Sequence, residues 1–238
     1  MFYWLLKYLL MGPLMRLFCR PKVVGVENLP ATGGAILASN HIAVADSFFL
    51  PLVVRRRITF PAKREYFTQP GFKGGLKRHF FLAAGQFPID RSSGSAAQAA
   101  LDTGVRLLGE GKLLGIYPEG TRSPDGRLYK GKTGLARMTL DAGVPVIPVA
   151  MIGTDKVSPI GSKLWWPHPV EVHFGAPLDF SRYSGLAGDR FVERSIVDEI
   201  MYSLMELSGQ EYVDMYAASV KERAEGNGSV KPAAARSS

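Results

Sequence analysis

The chain alternates short apolar runs with longer stretches in which apolar residues recur every three to four positions. The runs "GGAILASN", "RITFPAK", "AAGQFPID", "KLLGIYPEG", "VPVIPVAMIG" and "VEVHFG" are apolar stretches punctuated by Gly, Pro or polar residues, and such runs predict buried strands. "KVVGVENLP" predicts a further strand and turn ahead of them. Between the runs, Ala97, Ala100, Leu101, Val105 and Leu108 fall on one helical stripe, with Ser92 and Ser93 as N-caps and Gly109 and Gly111 as the stop. "KTGLARMTLDAG" predicts a second helix, and Val192, Ile196, Ile200 and Leu204 stay in register along a third. Strands alternating with helices predict an α/β fold, a mostly parallel or mixed central sheet flanked by helices.

The two ends depart from this pattern. In "MFYWLLKYLLMGPLMRLFCRPK", Lys7 and Arg16 bound only eight uncharged residues, which Gly12-Pro13 interrupt. Crossing a bilayer takes about 20 mostly apolar residues. With no basic start and no small-residue cleavage site, the stretch is not expected to be a signal peptide. Tyr3, Trp4 and Tyr8 suit a headgroup layer, and Arg16, Arg20 and Lys22 suit an anionic leaflet. Residues 1–22 are therefore expected to form an amphipathic anchor helix, placing the chain at the cytoplasmic face of the cell membrane as a peripheral or monotopic protein. The alternative is a helix packed on the protein's own core. Residues 23–221 are expected to form one α/β domain, and residues 222–238, "ERAEGNGSVKPAAARSS", a disordered tail.

Composition narrows the partners. With 238 residues, 46% of them hydrophobic, the chain can bury a substantial core. Its 29 basic and 21 acidic residues leave a net charge of +8, which favours an anionic membrane surface, a phosphorylated small molecule or nucleic acid. No module or regular aromatic interleaving speaks for nucleic acid, which is not expected as a partner. The single cysteine, Cys19, excludes an internal disulfide. No metal-ligand spacing, nucleophile elbow, P-loop or dinucleotide fingerprint is present, so no protein-held metal or cofactor is expected. His79, His168 and His173 stand alone and read as structural or surface residues.

Four polar clusters fall at the ends of expected strands: "SNHIAVAD", "PAKREYF", "FPIDRS" and "YPEGTRSPDG". Ligands of open α/β sheets gather at that edge. His41 and Asp46 are five positions apart, which a continuous helix would set roughly 140° apart, so the chain between them must turn. A carboxylate on one imidazole nitrogen leaves the other free to take a proton from a hydroxyl. The pair also reads as a loop histidine followed by an aspartate at a helix N-cap. In "EGTRS", Gly120 admits close approach, Thr121 offers a hydroxyl and Arg122 a planar fork for phosphate oxygens. Arg91 and Lys63 are further candidate cations, and Glu119 is expected to orient backbone or arginine rather than meet an anion. The competing reading of this cluster is a polar turn with Glu119 and Arg122 in a surface ion pair.

"NHIAVAD" resembles the N-H-x-x-x-x-D motif of the glycerolipid acyltransferases, the lysophosphatidate acyltransferase family. "GQFPIDR", "YPEGTRS" and "VPVIPVA" resemble that family's later motifs, in order, between about residues 23 and 180. The resemblance implies His41 as base and Asp46 as its orienting partner. It implies a phosphate site of Arg91, Glu119, Gly120, Thr121 and Arg122, with Lys63 in addition. It further implies direct acyl transfer from acyl-CoA or acyl-carrier protein to the free hydroxyl of lysophosphatidate, giving phosphatidate, without a cofactor or a covalent intermediate. Rival readings are the same chemistry on glycerol 3-phosphate or another lysophospholipid, and a non-catalytic protein that holds anionic lipid. The basic "VVRRRITF" would serve the last of these.

Overall fold

Five consecutive buried residues, Ala35–Ser39, show how the apolar runs are used. Ala35 and Leu37 turn into one hydrophobic cluster, Ile36 and Ala38 into another, so both faces of the strand are covered. The computed structural model describes residues 2–89, 94–162 and 164–228. It begins with α1 (Phe2–Leu5), a π-helical turn (Leu6–Leu10) and α2 (Met11–Cys19), which lead into β1 (Lys22–Val24). Then follow β2 (Ala35–Ser39), α3 (Asp46–Val53), β3 (Ile58–Lys63), α4 (Glu65–Thr68), α5 (Gly71–Ala83) and β4 (Gln86–Ile89). Next come α6 (Gly94–Gly109), β5 (Leu113–Ile116), β6 (Leu128–Tyr129), α7 (Gly134–Ala142) and β7 (Val146–Ile152). The remaining elements are α8 (Thr154–Val157), β8 (Glu171–Phe174), α9 (Arg190–Ser208), β9 (Tyr212–Val213) and α10 (Ala217–Gly228).

Seven strands form a mixed, mostly parallel sheet in the order β1-β8-β7-β2-β5-β3-β4, with only the β7–β8 pair antiparallel. Helices α2 and α3 cover one face through Met15, Phe49 and Leu50. Helices α6, α7 and α9 cover the other through Leu108, Leu135, Ile196 and Ile200. Because the central strands run parallel, the C-terminal ends of β2, β3, β4, β5 and β7 lie at one edge.

The N-terminal segment packs inward and still leaves an apolar face outward. Gly12, Met15 and Cys19 are buried, whereas Leu9, Leu14, Leu17 and Phe18 are each more than half exposed. Pro13 has no N–H to offer the helical ladder, and the turn before it widens to the π form. Lys7 is buried there and donates to the Val54 carbonyl at the end of α3. Burial, with Arg16 nearby, pushes its ammonium down to about 8.

Three features were not expected from the sequence. The basic "VVRRRITF" is structural: Arg56 donates to the carbonyls of Pro30, Gly33 and Gly111, and Arg57 to those of Leu82 and Ala83 at the end of α5. Helices α4 and α5 fill a stretch that showed no clean period, since Gly71, Gly74 and Gly75 interrupt it. Helix α10 runs on to Gly228, through residues that composition assigned to a tail, because buried Ala217 and bonded Lys221 fix its first turns. The rest of that tail, 229–238, lies outside the described residues, as do Ser92 and Ser93.

Strand β3 pairs with β5 only at Ile58↔Leu113 and Thr59↔Leu114 before turning to β4. The ring of Phe60 closes the resulting gap beside Gly115, where an added Cβ would lie 2.2 Å from a ring carbon. Gly115→Val should therefore cost about 1–3 kcal/mol through overpacking. Urea unfolding checks this, and an unchanged midpoint would show that the ring is free to move away.

Candidate active site

Strand β2 ends on a side-chain copy of a peptide group. The Asn40 amide donates to the Met151 carbonyl at 3.0 Å and accepts from the Met151 N–H at 2.7 Å. That exchange continues the β2–β7 pairing with side-chain atoms, so the main chain is free to leave the sheet at His41. The turn that follows is organised by Asp46. Its Oδ2 accepts from the N–H of Ile42 and of Ala43, each at 2.9 Å, and from His41 Nδ1 at 2.9 Å. Its Oδ1 accepts from the Thr154 hydroxyl at 2.5 Å. Asp46 is wholly buried, and these four donors are what make a carboxylate tolerable there.

The bond to Asp46 fixes the tautomer. A carboxylate only accepts, so Nδ1 of neutral His41 must carry the proton, and Nε2 keeps its lone pair. The imidazole side chain is 16% exposed and stacks on Tyr117, with centroids 3.8 Å apart and planes 10° apart. The Tyr117 hydroxyl is paired with Ser47 Oγ at 3.0 Å. Burial, reinforced by Asp46, pushes that phenol far above its ordinary range and keeps it neutral.

The main chain of His41 is gripped from the "EGTRS" loop. Glu119 Oε1 accepts from the His41 N–H at 3.3 Å, and the Ser123 N–H donates to the His41 carbonyl at 2.7 Å. Glu119 Oε2 accepts from the Tyr129 N–H at 3.0 Å, so this carboxyl spans two backbone segments. It is buried and makes no ion pair with Arg122. Gly120, at φ 73°, lies beneath the Lys132 side chain, whose Cε would be 2.9 Å from an added Cβ. Gly120, Thr121, Arg122 and Lys132 line one cavity together with His41. The Arg122 side chain has no hydrogen-bond or ion-pair partner among the described residues.

This cavity has a volume of about 1020 Å³, at the top of the range of roughly 300–1,000 Å³ usual for small-molecule sites. Elsewhere its walls are mostly apolar, with Lys7 and Lys77 also on the lining. One part reaches Met11, Met15 and Leu52, and another reaches Leu101, Leu135 and Met138. Of the other expected site residues, Lys63 is placed by its backbone as the last residue of β3, paired with Ile89 at the same sheet edge. Arg91 lies outside the described residues.

The sequence profile of the Acyltransferase family matches residues 20–152. The chain belongs to this family. Among relatives in the acyltransferase family, the 1-acyl-sn-glycerol-3-phosphate acyltransferase of Bacillus subtilis is 30% identical over 167 residues, covering 69% of this chain and 77% of that protein. The enzyme of the same name from Limnanthes douglasii is 32% identical over 159 residues, covering 66% of this chain and 54% of its own length. The chain thus spans about half the length of several of the curated relatives it matches. A solved structure, the 1-acyl-sn-glycerophosphate acyltransferase PlsC from Thermotoga maritima, superimposes with a TM-score of 0.57 at 26% identity, covering 79% of this chain and 73% of that one.

His41, Asp46, Glu119, Gly120, Thr121, Arg122 and Lys132 all fall inside the acyltransferase match, whereas Thr154 lies just beyond it. Sequence reasoning missed Thr154, whose only signal is its place after Gly153 at the end of a strand. Lys132 was also missed, its single cue being position before a helix. Burial sets the protonation of Glu119: its carboxyl is pushed up to about 8, while the N–H groups of Tyr129 and His41 pull it back and Asp46 raises it further. An unfolded glutamic acid releases its proton near 4.5, so across the interval up to about 8 each rise in pH favours the unfolded chain. Measured by urea unfolding, stability relative to Glu119→Gln should therefore fall between about pH 4.5 and 8 and level off above. A difference independent of pH would contradict this assignment.

Proposed function

We propose that the chain transfers a fatty acyl group from an acyl thioester to the free hydroxyl of lysophosphatidate, giving phosphatidate. The observation that carries this reading is an imidazole pinned through Nδ1 by Asp46, on a mostly apolar cavity that Arg122 and Lys132 also line. The names of the relatives support the acceptor. In this mechanism His41 Nε2 takes the hydroxyl proton as the acceptor oxygen attacks the thioester carbonyl. The C–S bond then breaks, and the imidazolium returns the proton to the departing thiolate. Asp46 stabilises the charged ring, and the face of Tyr117 lies against it. No covalent enzyme intermediate is required.

The phosphate of the acceptor sits against Arg122, Thr121 and Lys132 beside Gly120, with Lys63 and Arg91 proposed as further cations from the sequence. Arg122 suits this role through its planar fork. Acyl chains occupy the apolar walls. The donor is acyl-CoA or acyl-carrier protein, and both present the same thioester. The enzyme reading is supported over a non-catalytic lipid-holding protein by the buried carboxylate aimed at an imidazole on the cavity.

His41→Ala should lower kcat by about 10²–10⁴ in a chain that still folds, with an unfolding midpoint lowered by the donor that buried Asp46 loses. Arg122→Ala should raise the acceptor KM by roughly 10–100-fold with the thioester KM unchanged, the loss of a charge-assisted hydrogen bond. Steady-state transfer assays with lysophosphatidate and each donor check both. Near-normal transfer by the histidine variant would remove the base, and an unmoved acceptor KM would remove the phosphate site.

The lipid acceptor places the chain at a membrane, on the cytoplasmic face. No described helix is long and apolar enough to cross one. The support is the outward row Leu10, Leu14, Leu17 and Phe18, together with Trp165 and Trp166, which are also exposed. Trp165 meets Phe48 edge-on at 5.2 Å, and Phe48 lines the cavity, so this second patch adjoins the cavity. Aromatic rings beside basic residues are the usual composition of an interface anchor. Leu14→Asp with Leu17→Asp should abolish co-flotation with anionic vesicles, and retained flotation would place the contact elsewhere.

A further inference from the structure

Beyond the family match, the segment that follows α9 returns to the active-site loops at three places. Helix α9 closes on Gly209 in the left-handed conformation, and the chain reverses. Gln210 then accepts from the Asn40 side-chain amide at 2.7 Å and donates to the Gly126 carbonyl at 2.5 Å. Strand β9 adds to β6, with Leu128 N–H donating to the Glu211 carbonyl and Lys130 N–H to that of Met215. An ion pair between Lys130 and Asp214 at 2.7 Å reinforces the pairing. Finally α10 brings Lys221 to the "EGTRS" loop, where its Nζ donates to the Thr121 hydroxyl at 2.9 Å and to the Arg122 carbonyl at 2.5 Å.

We propose that Gln210 and Lys221 are positioning residues, each setting one half of the site: Lys221 the grip on the acceptor's phosphate, Gln210 the placement of His41. The proposal rests on the acyltransferase reading given above. Its chemistry follows from what each group can donate. An ammonium has no lone pair to offer, so Thr121 must use its own lone pair to accept from Lys221. The Thr121 proton is then left to donate toward the cavity, which is what a phosphate oxygen needs. Holding the Arg122 carbonyl on the α10 side fixes the backbone from which the guanidinium extends to the cavity wall. Gln210 acts at the other end. It completes the bonding of the Asn40 amide, the group whose exchange with Met151 frees the chain at His41. One short segment therefore ties together the base loop and the anion loop, which are about 80 residues apart.

The two roles predict different kinetic signatures, which a merely structural clip would not produce. Lys221→Met should raise the KM for lysophosphatidate about tenfold, with kcat and the thioester KM within twofold of wild type. Turnover of monoacylglycerol, an acceptor without phosphate, should not change, and Lys221→Arg should recover most of the affinity. Gln210→Leu should lower kcat severalfold with the lysophosphatidate KM unmoved. Unfolding midpoints measured alongside separate these effects from lost structure. If both variants depress the same parameter, if the lysine variant affects both acceptors alike, or if only the unfolding midpoints move, the assignment is overturned. A wild-type chain inert toward every acceptor would overturn the acyltransferase reading itself, whereas active wild type with kinetically silent variants overturns this inference alone.

Discussion

A buried carboxylate with four donors is the constraint on which the site depends. Asp46 cannot shed its burial cost by reaching water, so Ile42, Ala43, His41 and Thr154 must all stay aimed at it. Satisfying those donors closes the turn after β2, fixes one imidazole tautomer and ties α8 to the start of α3. The orientation of His41 and the local stability here rest on the same set of bonds. A substitution at Asp46 thus disturbs the imidazole through orientation as much as through charge.

The parallel sheet supplies the setting. Strands β2, β3, β4 and β5 end at one edge of the sheet, and Glu119 holds the backbones of His41 and Tyr129 there. Its carboxyl is buried against those two N–H groups, and it makes no ion pair with the neighbouring Arg122. The apolar walls of the cavity come from both hydrophobic clusters, Met15 and Leu52 from one and Leu135 and Met138 from the other.

Much of this was legible in the residues. Within the runs "GGAILASN" and "VPVIPVAMIG" lie β2 and β7, and the stripe from Ala97 to Leu108 became α6. The spacing of His41 and Asp46 announced a turn, since a continuous helix would have parted them. What escaped was whatever tertiary contact decides. The two-residue strands β6 and β9 exist only through each other, and α10 reads as a polar tail until Lys221 is seen against Thr121. Arg56 and Arg57 looked like a basic patch and are instead donors to loop and helix-end carbonyls. Lys7 looked like an interruption of an apolar anchor and is a buried tether to α3.

The central claim is the protonation of one ring. Nitrogen NMR of the histidine-labelled protein above the imidazole's titration range reads the tautomer of His41 directly. The account predicts a proton on Nδ1 and an unprotonated Nε2. A His41 that carries its proton on Nε2, or that exchanges freely between the two tautomers, would contradict it.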